Sequence, residues 1–205
     1  MQHQISVNLP RWWGGGRGIH GTRDFMLGER NMRKHISAVG ILVLAFSLSF
    51  PAAASADAGS HTYFLEMEAP NVAQAPNGDR VAVTGEGTFS VNPKSVDAAG
   101  SFTHTFAGGG SITGTWTATQ LLEYQSYGCG VVAGTPLPPD LCGGAVKMRV
   151  TLTAGTRQVE GILTVFCLIG ANPPNSAAEG ITLVVPGIIN FNKVVTGENF
   201  YLRLS

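Results

Sequence analysis

Across residues 81–91 the odd positions hold Val81, Val83, Gly85, Gly87, Phe89 and Val91, while the even ones hold Ala82, Thr84, Glu86, Thr88 and Ser90. Successive side chains of a strand point to opposite sides, so a period of two describes a strand with one buried and one wet face. Val146, Met148, Val150 and Leu152 alternate with Lys147, Arg149, Thr151 and Thr153 in the same way. No comparable helical period follows Ala56, so the chain is expected to be all-β.

The clearest hairpin joins residues 101–106 to residues 112–119 through Gly108, Gly109 and Gly110. Directly opposed residues of an antiparallel pair share a face. A three-glycine turn sets Phe106 across from Ile112, His104 from Gly114 and Phe102 from Trp116, and it gathers the threonines on the other side. Further strands are expected at residues 62–68, 158–168, 181–185, 188–192 and 199–204, with Ala154-Gly155-Thr156-Arg157 closing a second hairpin. About nine strands with short glycine turns predict a small closed or nearly closed antiparallel β-barrel, with a β-sandwich as the alternative. Residues 159–168 are apolar on both faces, which predicts a strand buried on two sides or one that covers a partner, including a second copy of the chain.

Residues 128–144 contain Pro136, Pro138, Pro139 and five glycines, with Cys129 and Cys142 near the two ends, and they read as a long loop. Residues 172–180 read as a second one.

The run from Gly100 through Gly114-Thr115-Trp116-Thr117-Ala118-Thr119 to Tyr124-Gln125-Ser126-Tyr127-Gly128 resembles a group of secreted bacterial β-rich proteins without an assigned activity. Gly161-Ile162-Leu163-Thr164-Val165 and Gly187-Ile188-Ile189-Asn190-Phe191-Asn192-Lys193 extend the resemblance over most of the chain after Ala56. More remotely, the glycine-punctuated strands are similar in style to the dirigent and allene oxide cyclase barrels. No catalytic residue of those families maps to a position here.

Residues 32–56 read as a secretory signal. Met32-Arg33-Lys34 supplies the charged start, residues 38–50 the apolar run, and Ala54-Ser55-Ala56 the small-residue cleavage site. The apolar run is too short to cross a bilayer as a helix. Export with cleavage before Asp57 is therefore expected, giving a secreted, periplasmic or extracellular protein with no membrane anchor. Residues 1–31 read as an upstream extension from a start codon placed too early, and residues 57–205 as one domain. That domain carries seven Lys/Arg against eleven Asp/Glu, a net charge of −4. Its scattered bases argue against nucleic acid as a partner. An oxidising destination predicts a Cys129–Cys142 disulfide, leaving Cys167 as a buried thiol.

Chemical candidates are few. Only His61 and His104 follow Ala56, and no His-x-His or Cys-x-x-Cys is present, so neither a metal nor a cofactor is expected. No Gly-x-Ser-x-Gly elbow or phosphate loop occurs with suitable partners. His104 reads as a hydrogen-bonded core histidine ahead of an acid/base group, since no acid lies on its hairpin and Glu123 is the nearest carboxylate in sequence. The glycines at inward positions, Gly85, Gly87 and Gly114, either let the strands coil or leave room. In the second case they would open a cavity lined by Phe89, Phe102, His104, Phe106, Gly114 and Trp116, with Tyr124 and Tyr127 at its rim. The function expected is non-enzymatic, with a small apolar molecule bound in the interior. A structural or surface-interaction module is the alternative, and an isomerase or cyclase using His104 is a third reading.

Overall fold

The computed structural model describes residues 59–205, so the signal expected over residues 32–56 and the extension expected before it lie outside the described part. All the regular structure in that part is strand. In chain order the strands are β1 (Thr62–Met67), β2 (Asn71–Gln74), β3 (Arg80–Ser90), β4 (Ser95–Thr105), β5 (Ser111–Cys129), β6 (Val131–Val132) and β7 (Thr135–Pro136). There follow β8 (Leu141–Ala154), β9 (Arg157–Cys167), β10 (Gly180–Val185), β11 (Ile189–Phe191), β12 (Lys193–Thr196) and β13 (Asn199–Arg203).

Six of them close a ring of antiparallel pairs, running β1–β3–β4–β5–β8–β13 and back to β1. Two strands of the ring are long enough to serve two partners along one edge. Residues 86–90 of β3 pair with β1, and residues 80–83 pair with β2. Likewise, Leu141 and Cys142 of β8 pair with β13, and residues 144–154 pair with β9. The wall therefore divides. One branch closes through β13 and β1, whereas the other runs through β9 and β10 and ends at β11, which pairs only with β10.

A buried polar knot holds the point of division. Asn71 of β2 and Asn199 of β13 exchange two amide hydrogen bonds of 2.9 Å, and Asn199 Nδ2 also donates to the Phe166 carbonyl at 2.9 Å. Glu179 accepts from the backbone N–H groups of Leu168 and Asn199 at 2.7 and 3.0 Å. Burial still raises its carboxyl above the ordinary range.

The alternating strands behave as their period requires. Val146, Met148, Val150 and Leu152 of β8 are buried, and they pack with Leu65, Val81, Val83, Leu163, Val165 and Trp116 in a single core. Trp116 fills the space left by two glycines. A Cβ on Gly85 would strike the indole ring, and one on Gly100 would lie 2.7 Å from Trp116 Nε1 and against the Thr84 carbonyl oxygen. That oxygen accepts the indole N–H at 2.9 Å, so the bulkiest core side chain is seated with its polar atom satisfied.

The β4–β5 register differs from the expected one by two residues. Phe102 lies across from Gly114, His104 from Ile112, and Gly100 from Trp116. The turn takes five residues, Phe106 to Gly110, because the Phe106 N–H bonds the Gly110 carbonyl at 3.1 Å and the ladder ends at Thr105–Ser111. Phe106 is thereby excluded from the strand.

The loop expected over residues 128–144 is also shorter. β5 runs on to Cys129 with register shifts near residues 119, 122 and 127, and β8 starts at Leu141. Cys129 and Cys142 are directly opposed across this ladder and joined by a disulfide, as the sequence predicts. Between them, β6 and β7 form a small separate hairpin.

Candidate functional site

The eight residues expected around one cavity occupy four places. Phe89 and Tyr124 lie in an aromatic cluster with Tyr63 and Tyr201, where ring centroids stand 4.9 to 6.0 Å apart. Tyr201 Oη donates to the Val165 carbonyl at 2.8 Å and Tyr124 Oη to that of Gly143 at 3.1 Å. Burial raises both phenols. Cys167 closes this end, its thiol pushed up to about 12 by burial and 3.6 Å from the Cys142 carbonyl oxygen. Trp116 and Gly114 form the middle, and neither leaves room. The Phe102 ring covers Gly114 at 2.7 Å from where a Cβ would sit, and the Thr153 carbonyl oxygen is closer still. Tyr127 is on the outer face of the sheet.

The remaining three, Phe102, His104 and Phe106, stand at the hairpin end of the fold. There the strands leave an open seam, because no backbone ladder joins β11 to β4. The seam is spanned by side chains: the His104 and Phe191 rings meet edge to face at 5.2 Å, and the Phe106 ring stands tilted against His104 at 4.4 Å. Beside it is a cleft of about 230 Å³ walled by Phe102, Ile112, Leu152, Val159, Leu183 and Ile189, with Arg157 on its rim.

His104 has a carboxylate partner that the sequence does not reveal. Its Nε2 lies 2.9 Å from Asp79 Oδ2, and Asp79 Oδ1 accepts the Ala107 N–H at 2.9 Å. The Ala107 bond, then the His104 bond, holds the Asp79 carboxyl below its ordinary range. Asp79 ends the β2–β3 turn, where its own N–H bonds Asn77 Oδ1 at 3.1 Å. One carboxylate therefore ties that turn to the β4–β5 turn and fixes the imidazole on the cleft wall. The Asn77-Gly78 pair before an alternating run does signal a hairpin turn. Only the β3–β4 pairing, which sets Val81 across from His104, brings Asp79 to the imidazole.

A larger hollow of about 680 Å³ lies on the outer face beneath residues 174–178. Tyr127 and Phe166 line it beside Gln125, Thr164, Thr182, Asn192 and the Glu123–Lys147 ion pair of 2.9 Å. That pair lowers the Glu123 carboxyl and places it far from the role of partner to His104. Mixed walls of this kind give an apolar molecule less to bury than the end cleft does. Phe166 is on the second apolar face of β9, so a segment of the same chain shares the space over that face. Among the described residues, no group of three or more His, Cys, Asp or Glu side chains is arranged to hold a metal ion, and no helix is long and apolar enough to cross a membrane.

No family model matches the chain, and no curated protein or solved structure is significantly similar to it.

Proposed function

We propose that the domain is exported and binds a small apolar molecule, without transforming it, in the cleft beside His104. The observation that carries this reading is where apolar surface remains in water. Seven large apolar side chains are exposed among the described residues, and four of them, Phe106, Ile112, Val159 and Ile188, stand at this one end. Scattered exposed apolar residues need no explanation, but a cluster around a concavity does. The Cys129–Cys142 disulfide fits an oxidising compartment.

His104 favours binding over chemistry because its Nε2 is already engaged by Asp79, which a second bond fixes to Ala107. The same pair keeps a second reading in view, an isomerase or cyclase in which Asp79 orients His104.

Titration of the protein with 1-octanol, followed by methyl NMR shifts of Ile112, Leu183 and Ile189, tests the proposal. Saturable shifts at these methyls, lost in Ala154→Phe, are expected, because the added ring would occupy the cleft. Shifts centred instead on the methyls of Leu65 and Val146, which pair with Tyr201 and Tyr124 at the aromatic cluster, or none at all, would overturn it.

A further inference from the structure

The cleft is almost wholly apolar, so its few polar groups decide what else a ligand must carry. Of the seven basic side chains in residues 59–205, three meet a carboxylate: Lys147 with Glu123, Arg149 with Glu160 at 3.6 Å, and Arg203 with Asp140 at 3.3 Å. Lys94 donates to the Leu122 carbonyl at 2.8 Å. Arg157 has no ion pair among the described residues, and it is the one basic residue that borders the cleft. Its backbone is fixed, since it pairs with Ala154 across the β8–β9 turn. No carboxylate borders the cleft, Asp79 being set behind His104. An unmatched cation beside apolar space is the more telling in a domain whose net charge is −4.

We infer that the ligand is a small amphipathic anion, with its apolar body in the cleft and a carboxylate or similar head directed to Arg157. The inference rests on the cleft being the binding site. A dry cavity of about 150 Å³ accepts benzene, so one of 230 Å³ suits an apolar body of about nine non-hydrogen atoms. The guanidinium offers paired donors to a carboxylate, contributes nothing to a neutral tail, and repels an ammonium head.

Three probes of one chain length separate these cases: octanoate, 1-octanol and octylammonium, titrated calorimetrically at neutral pH into the protein and into Arg157→Gln, Arg157→Lys and Ala154→Phe. Octanoate should bind about fivefold more tightly than octanol, as suits a solvent-accessible ion pair, and octylammonium least. Arg157→Gln should bring octanoate down to the octanol level without moving octanol, and Arg157→Lys should keep most of the preference. Raising the salt concentration should weaken octanoate alone. Equal binding of octanoate and octanol that Ala154→Phe abolishes would overturn the anion inference and leave the cleft standing. Failure of all three probes to bind, or binding that survives Ala154→Phe, would overturn the cleft reading and the inference with it.

Discussion

Asn71 and Asn199, 128 residues apart, exchange two hydrogen bonds of 2.9 Å where the wall of strands divides. Asn199 serves more partners than Asn71, because its amide also reaches the Phe166 and Gly180 carbonyls at 2.9 and 3.4 Å, whereas that of Asn71 adds only the Ala69 carbonyl at 3.0 Å. Truncating either residue leaves buried polar groups unpaired, at about 1–3 kcal/mol each. Asn199→Ala should therefore cost about 3 kcal/mol and Asn71→Ala less. The double variant should lose little more than Asn199→Ala alone, since the two share one interaction. Urea midpoints of the three variants check this ranking.

Trp116 depends on the glycines beneath it. Gly100→Ala would drive a methyl into the Thr84 carbonyl and the indole, and should destabilise by at least about 2 kcal/mol. Gly114→Leu should also overpack, because the Phe102 ring and the Thr153 carbonyl already occupy that space. Trp116 is the one tryptophan of residues 59–205, so its fluorescence reports both unfolding transitions directly.

Of the three described carboxyls with displaced titration, Glu179 and Asp79 pull stability in opposite directions as acid is added. Glu179 is raised above its ordinary 4.5, so its contribution is full below that value and lost as pH rises through its native pKa. Asp79 is lowered from 3.8, so its contribution is full above that value and lost as pH falls through its native pKa. Denaturation midpoints across pH 2 to 7 should show Asp79→Asn flattening the loss below about pH 4. Glu179→Gln should flatten the gain on acidification from neutrality.

The Cys129–Cys142 bond closes about 14 residues and should contribute roughly 3 kcal/mol in the chain-entropy account, read as the loss in Cys129→Ser/Cys142→Ser. Cys167 should resist iodoacetamide at pH 8 while the protein is folded, because its thiol is buried and pushed up to about 12. Peptide mass spectra of native and urea-treated samples distinguish a protected thiol from an open one.

Faces were legible in the sequence, and positions along the strands were not. A slip of two residues leaves every side chain of the β4–β5 hairpin on its expected face, so alternation cannot tell Phe102 opposite Trp116 from Phe102 opposite Gly114. Turn length decides, and Phe106 joins the turn. The same blindness split the expected cavity. Residues that share a face still lie about 7 Å apart for every two positions along a strand, which carries Phe89 and Tyr124 to one end and Phe102 and His104 to the other. Tyr127 is an odd number of positions from Trp116 and from Tyr124, and the β5 shifts near residues 119 and 122 cancel, so plain alternation sets it on the outer face with Glu123 and Gln125. Asp79 was hidden for a different reason: its contact with His104 exists only through the pairing of β3 with β4.

The pairing of β1 with β13 sets Tyr63 across from Arg203, and the Leu204 N–H reaches the Thr62 carbonyl at 2.8 Å. A strand near the start of the domain thus waits for one made well over a hundred residues later. During synthesis β1 has one edge unpaired until the chain has been made as far as Arg203, and a bare strand edge is the template on which nascent chains stick to one another. Any process that slows delivery of those last residues, or removes them, exposes that edge for longer.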